Sequence, residues 1–244
     1  MRKDIIYGIR PVIEAAEAGR EIEKVFLRNG LRGPGAQALI NILRQRGVPF
    51  QFVPVEKLNR ISRISHQGVI AMISAITWQD ISQIIPGIFE RGESPLILVL
   101  DGITDVRNFG AIARTAECTG VHAIVIPSKG SAMTGPDAIK TSAGALNTIP
   151  VCRTSSLPAT VKFLRDSGLK IVAATEKAEN IYHEADLKGP AALVMGSEEK
   201  GISPQLTGQA DLRVKIPVFG SIGSLNVSAA ASVLIYEIIR QRSS

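Results

Sequence analysis

Cysteine is scarce in this 244-residue chain. Only Cys118 and Cys152 occur. Both sit in apolar segments without metal-ligand spacing, so they are expected to be buried thiols in a reducing compartment rather than a disulfide or a metal site. No Cys/His/Asp cluster has the spacing of a zinc centre, and no metal is expected. No strand-like run leads into a G-x-G-x-x-G helix start, and no P-loop lysine pattern occurs, so an ordinary dinucleotide or nucleotide-triphosphate site is not expected. No serine or cysteine stands in an elbow motif with a matched histidine, which argues against a covalent intermediate. No apolar run is long enough to cross a bilayer, and the opening MRKDIIYGIR has no apolar signal-peptide core. A cytoplasmic location away from membranes is expected.

What is present is an ordinary globular composition, 45% hydrophobic, with a net charge of +6. The excess of cations suggests a polyanionic partner, for which nucleic acid is the usual candidate. It is concentrated near the start. Between Arg28 and Arg63 the cations are Arg28, Arg32, Arg44, Arg46, Lys57, Arg60 and Arg63, against the single acid Glu56. So one-sided a run predicts a phosphate-contacting surface that positions RNA without reading its sequence.

Periodicity divides the chain. Residues 1–76 read as a small α/β unit: helical spacing over 8–19 and 33–47, strands over 24–28, 49–53 and 68–74, and a short helix over 55–61. His66 before the last strand reads as structural. Residues 77–95, with Pro86, Gly87, Gly92 and Pro95, are expected to be a linker containing a helical piece over 81–89. From Leu96 strands alternate with helices: strands over 96–100, 123–126, 148–151, 170–174, 191–195 and 212–216, and helices over 109–119, 137–146, 157–167 and 225–239, with Asn108 as the expected cap of the first. The fold class is α/β with a mostly parallel sheet.

In such sheets ligands bind beyond the carboxyl ends of strands. Three exits carry glycine or small polar residues: LVLDGITDVRNFGAIARTAE (98–117), LVMGSEEKGIS (193–203) and IPVFGSIGSLNVSAAA (216–231). Ser224 and Asn226 are good helix caps, and Gly220 and Gly223 allow backbone to approach a ligand. Asn108, Arg114, Glu198, Ser224 and Asn226 remain as polar groups around these loops. That set suits a site working by positioning and electrostatics.

In order and spacing, these three stretches resemble the motifs of the SpoU (TrmH) family of RNA ribose 2′-O-methyltransferases. The resemblance covers residues 96–244. IYGIRPVIEAAEAG and the His66-Gln67-Gly68 stretch resemble the N-terminal domain of the RlmB branch, which methylates a guanosine of 23S ribosomal RNA. One departure is Val106-Arg107, where many members have proline first. The resemblance implies a SPOUT-type α/β-knot, a chain threaded through its own loop, behind an RNA-binding domain over 1–76. It also implies S-adenosylmethionine as cofactor, held at Gly196, Ile216, Ser224 and Leu225 with Thr175 at a neighbouring strand exit. Arg114, Asn108, Glu198 and Asn226 would form the catalytic set. Arg28, Arg32, Arg44, Arg46, Arg60 and Arg63 would hold RNA, and a homodimer would place the site near its interface. Two other readings stay open: methylation of a transfer RNA ribose, and a non-catalytic RNA-binding assembly factor.

Overall fold

The computed structural model describes residues 5–243. It contains two compact units, one running to Thr77 and taking in Met133–Pro136, the other comprising Trp78–Ala132 and the chain from Asp137 onward.

The first unit runs β1 (Ile5–Tyr7), α1 (Ile9–Glu17), β2 (Ile22–Arg28), α2 (Pro34–Gln45), β3 (Phe50–Val53), α3 (Val55–Ile61), β4 (Val69–Ile73). Its sheet order is β1-β4-β2-β3, with β4 antiparallel to both neighbours and β2 parallel to β3. Alternation along β2 sends Val25 and Leu27 to one face, where Val12, Ala16, Leu39 and Leu43 of α1 and α2 close over them. Phe26 points the other way, joining Val53, Leu58 and Ile70 beneath α3. Burying side chains of this size stabilises the unit by roughly 1.5–3 kcal/mol each. Strand β1 had no counterpart in the periodicity, because three residues are too few to show alternation. The tetrapeptide Met133–Pro136 belongs here through Thr134. Its backbone N–H and hydroxyl donate to the Glu23 carboxylate, and its carbonyl accepts from Ala75 N at 3.1 Å. His66 is structural, as expected: Nδ1 accepts from Gly68 N at 3.0 Å and Nε2 pairs with Asn59 Oδ1 at 2.9 Å.

The second unit continues with β5 (Trp78–Gln79), α4 (Ile81–Glu90), β6 (Leu96–Asp101), α5 (Val106–Cys118), β7 (Ala123–Pro127), α6 (Pro136–Thr141), a 3-10 turn (Ala145–Asn147) and β8 (Val151–Thr154). There follow α7 (Leu157–Asp166), β9 (Lys170–Ala174), β10 (Asn180–Ile181), β11 (Ala191–Gly196), α8 (Pro204–Thr207), β12 (Leu212–Lys215) and α9 (Val227–Arg242). The eight strands form one sheet, order β10-β12-β9-β11-β6-β7-β8-β5, with every pairing parallel. Leu96–Leu100 is buried throughout, which explains its unbroken apolar run in a strand covered on both faces. Ile97 and Val99 meet α4 and α7 through Ile85, Ile88, Val161 and Leu164. Helices α5 and α9 pack on each other, and α9 also on β11.

Several expectations are corrected. Residues 77–95 are no loose linker: β5 joins the sheet edge, and Ile81, Ile85 and Ile88 of α4 lie in the core of the second unit. Asp105, not Asn108, caps α5, its Oδ1 accepting from Arg107 N at 2.7 Å and Asn108 N at 3.1 Å. The helix expected over 137–146 breaks after Thr141, where Ala143 and Gly144 take φ values of 51° and 90°. The strand expected over 148–151 begins only at Val151. Cys118 is exposed on α5, whereas Cys152 is buried in an apolar setting that pushes its thiol up to about 12.

Helix α9 is fastened at its C-terminal end. Buried Gln241 accepts from Leu187 N at 2.9 Å and donates to Ala185 O at 3.0 Å, and Arg242 donates to the carbonyls of Ser94, Pro95 and Gly189. Glu237 ties this end together, receiving two bonds from Arg240 at 2.8 Å and one from Gln241 at 2.7 Å. The Arg240 hydrogen bonds, opposed by burial and aided by Gln241 and His183, hold the Glu237 carboxyl near 2, below its ordinary 4.5. A carboxylate depressed in the folded state stabilises fully above its unfolded value and loses that contribution as pH falls toward the folded one. The gap in urea midpoint between wild type and Glu237→Gln is therefore expected to be largest near neutrality and to narrow between about pH 4.5 and pH 2.

Candidate active site

The strand exits foreseen in the sequence come together at one end of the second unit. β6 delivers Asp101–Asn108, β11 delivers Ser197–Gly201, and β12 delivers the segment from Ile216 to Asn226 that leads into α9. β6 and β11 are neighbours, with Asp101 opposite Gly196, so their exit loops start side by side.

Glu198 links all three. Its Oε1 accepts from Asn108 Nδ2 at 3.2 Å, from Asn226 Nδ2 at 2.6 Å and from Val227 N at 3.2 Å. Asn226 also donates to Asn108 Oδ1 at 3.0 Å, and its own Oδ1 caps α9 by accepting from Ser228 N at 2.9 Å. The cap role expected of Asn226 is thus met, while Ser224 lies earlier in the loop. Hydrogen bonds to an ionised acceptor are stronger than neutral ones, and three converging on one oxygen fix both amides in a single orientation. The loop that carries Glu198 is folded tightly on itself. Ser197 O accepts from Gly201 N at 2.8 Å, Ser197 Oγ accepts from Lys200 N at 3.2 Å, and Asp101 Oδ2 accepts from Ser203 N at 2.8 Å. Gly196 is required here for space: a Cβ on it would come within 2.0 Å of the Gly201 carbonyl carbon.

A cavity of about 410 Å³ opens beside this cluster. Thr175, Gly196, Ile216, Ser224 and Leu225, the five expected cofactor residues, all line it. Val218, Ala230 and Leu234 make part of its wall apolar, and Glu176, Lys177, Glu198, Glu199 and Lys200 supply charge at its polar side. Sequence reasoning passed over Glu176, Lys177 and Val218; their positions just beyond β9 and β12 were the available signal. A second cavity of about 560 Å³ shares the Ser197–Gly201 loop and is lined by Asp101, Asp105, Asn108 and Glu199 among others.

Arg114 stands apart. It is exposed on α5, lines neither cavity, and has no hydrogen bond or ion pair among the described residues. Val106 and Arg107 are the first two helical residues under the Asp105 cap, a place where proline would also be tolerated. The helices read as interface pieces are partly committed within the chain. Gly110 lets Thr141 approach α5, since a Cβ there would meet Thr141 Oγ1 at 2.1 Å, and Thr115 bonds Ser232 of α9 at 3.0 Å. Their outer sides remain open, with Arg114 and Cys118 on α5 and Tyr236, 56% exposed, on α9. Phe219 (95%) and Ile222 (76%) are also uncovered on the last loop.

In the first unit all six expected RNA-binding arginines are exposed, but the sheet divides them. Arg44 and Arg46 end α2, on the face covered by α1 and α2, where Arg46 reaches Glu17 O at 3.4 Å. Arg60 sits on α3 with Arg63 just after it, and strand alternation puts Arg28 on the same side as Phe26. Arg32 lies in the loop before α2.

Among the described residues no group of three or more His, Cys, Asp or Glu could hold a metal, and no helix is long and apolar enough to cross a membrane. Replacing Glu198 by alanine removes the shared acceptor of both asparagines and of Val227 N. Faster amide hydrogen exchange is expected at Val227 and Ser228, with strands β6 and β11 protected as before, measured by mass spectrometry.

Comparison with known proteins gives matches along almost the whole chain. Residues 95–236 match the model of the SpoU rRNA Methylase family, and residues 5–79 match the model described as RNA 2′-O ribose methyltransferase substrate binding. A Bacillus subtilis (strain 168) protein named as a TrmH family tRNA/rRNA methyltransferase, YacO, is 33% identical over 239 residues, covering 98% of this chain and 96% of its own. A like-named protein of Staphylococcus aureus (strain MSSA476) is 32% identical over 242 residues, covering 99% and 98%. The crystal structure of an RNA 2′-O ribose methyltransferase superposes with a TM-score of 0.58 at 29% identity, covering 98% of this chain and 89% of the other.

Proposed function

We propose, from the premise that the chain belongs to the SpoU rRNA methylase family and is an RNA methyltransferase, that it methylates the ribose 2′-hydroxyl of a guanosine in 23S ribosomal RNA. The observation that carries this reading is the cavity at the three strand exits, walled by Gly196, Ile216 and Leu225 and braced by Glu198.

The lining suits S-adenosylmethionine. Its volume falls in the usual range for small-molecule sites, about 300–1,000 Å³. Ile216, Val218, Leu225 and Leu234 offer an apolar wall for an adenine ring, and the backbone at Gly196 is bare for close approach. Glu176, Glu198 and Glu199 offer carboxylates to cationic groups, and Lys177 and Lys200 offer ammonium groups to a carboxylate. When bound, the cofactor supplies an electrophilic methyl carbon on a sulfonium, which the ribose oxygen takes in an in-line displacement that releases the thioether.

The chain's own task is to align that oxygen and to favour loss of its proton, and alignment alone can remove several kcal/mol of barrier. Asn108 and Asn226, held rigid by Glu198, orient the ribose and the last loop. Arg114 offers a planar fork of N–H donors and no acceptor, so it is not cast as the base. It acts by holding a neighbouring phosphate and steadying the developing alkoxide, while the hydroxyl proton passes to solvent. Because Arg114 lines neither of the two cavities described above, it serves the site of a second copy in a homodimer. The open sides of α5 and α9 and the uncovered Phe219 and Ile222 support that assembly. The first unit holds the RNA, and the protein works in the cytoplasm.

Transfer of labelled methyl from S-adenosylmethionine to total RNA from cells lacking the protein tests the reading. Label on one large-subunit guanosine is expected. Label on transfer RNA, which the relatives' names also include, would move the substrate and keep the chemistry, and no label on any RNA, ribosomal precursors included, would overturn the proposal. Arg114→Lys is expected to lower kcat by about 10²-fold or more, because a point charge does not replace a planar fork, with cofactor affinity by calorimetry unchanged.

A further inference from the structure

We infer that the first unit contains an RNA phosphate-binding site built from Lys24 of β2 and Lys57 of α3 over the ring of Phe26. This site is separate from the arginines assigned to RNA above, and it rests on RNA being the substrate.

Two ammonium groups lie close to one aromatic ring. Lys24 Nζ lies 5.1 Å and Lys57 Nζ 5.5 Å from the centroid of the Phe26 ring. They come from elements 33 positions apart in sequence, so the fold, not chain continuity, brings them together. Neither forms an ion pair among the described residues, and the one hydrogen bond between them goes from Lys24 to the neutral Gln51 Oε1 at 3.1 Å. Partial burial, with the nearby charge of Lys57 second, lowers the Lys24 pKa, so the pair is held against its own repulsion. An anion bound near both ammonium groups offsets that repulsion.

The ring is a floor and not a stacking platform. Phe26 is only 8% exposed and two ammonium groups lie within 5.5 Å of its ring centroid, so the ring gives a nucleobase little surface to stack on. What the site offers is two mobile point charges, which suits a backbone phosphate and reads no sequence. The charged groups around it are Arg28 on the same side of β2, Arg60 one turn along α3, and the exposed Glu56 beside Lys57; Glu23 is occupied by Thr134. With Lys24, Lys57, Arg28 and Arg60 against Glu56, this face is net positive and runs on to Arg63, while Arg44 and Arg46 lie across the sheet. The RNA path in the first unit runs over the α3 face.

The test uses the full chain and a fluorescein-labelled RNA hairpin, with binding followed by anisotropy from low to high salt. For Lys24→Gln/Lys57→Gln the slope of log affinity against log salt is expected to fall by about two, about one per lysine. Affinity near 0.1 M salt is expected to fall about tenfold or more, with S-adenosylmethionine affinity and melting temperature unchanged. Lys24→Arg/Lys57→Arg is expected to restore the slope. In the unaltered protein the Lys24 side-chain carbon shift should titrate below the ordinary lysine range and move up on addition of the hairpin. An unchanged slope in the glutamine variant, with methyl transfer normal in the wild type, refutes the site alone. Normal hairpin binding with lost binding to polyglutamate also refutes it, in favour of an acidic protein partner. Absence of both RNA binding and methyl transfer in the wild type refutes the RNA reading on which the site rests.

Discussion

One carboxylate oxygen holds the candidate active site in shape. Glu198 Oε1 is the common acceptor for a side chain from the first loop, a side chain from the last, and the first backbone N–H of α9. Without it, two asparagine amides would be free to turn, and the loop entering α9 would lose its anchor to the sheet. The loop from Ile216 to Leu225 forms no backbone hydrogen bonds among those of the described residues and depends on its two ends. The carboxylate itself depends on Gly196, where backbone runs against backbone so closely that no side chain fits. Packing at one glycine thereby becomes orientation at two asparagines.

Helix α9 carries this constraint across the molecule. Its N-terminal end is fixed at the strand exits by Asn226 and Glu198. Its C-terminal end is fixed near the strand entrances by Gln241 and Arg242, through Leu187, Gly189 and Pro95. A 16-residue helix spans about 24 Å, so one rigid rod ties the two ends of the parallel sheet together. The cavity beside that rod is walled by Ala174 and Thr175 at the end of β9 and by Met195 and Gly196 of β11.

The first unit distributes charge in a way that composition alone misreports. The cation-rich stretch from Arg28 to Arg63 is continuous in sequence, yet it winds around a sheet and is split between two faces. Lys24 lies just before that stretch and was not among its members. It meets Lys57 because β2 and α3 pack through Phe26 and Leu58. Local charge density is therefore a property of the packed sheet, not of the run.

The sequence by itself determined the fold class, the three strand-exit loops and their chemistry. These are written in local pattern: a strand buried on both faces must be continuously apolar, as Leu96–Leu100 is, and a strand exit that meets a ligand favours glycine and small polar residues. The cap at Asn226 followed from that logic, whereas the five residues around the 410 Å³ cavity came from the resemblance of those loops to the SpoU motifs. Only the tertiary structure decided that Asp105 caps α5, that the helix read over 81–89 packs into the core, that Thr134 belongs with the first unit, and that Arg114 stands outside its own chain's cavity. Those outcomes depend on which side of a helix meets which sheet face and on which distant polar group satisfies a buried one, and such pairings have no fixed spacing along the chain for periodicity to reveal.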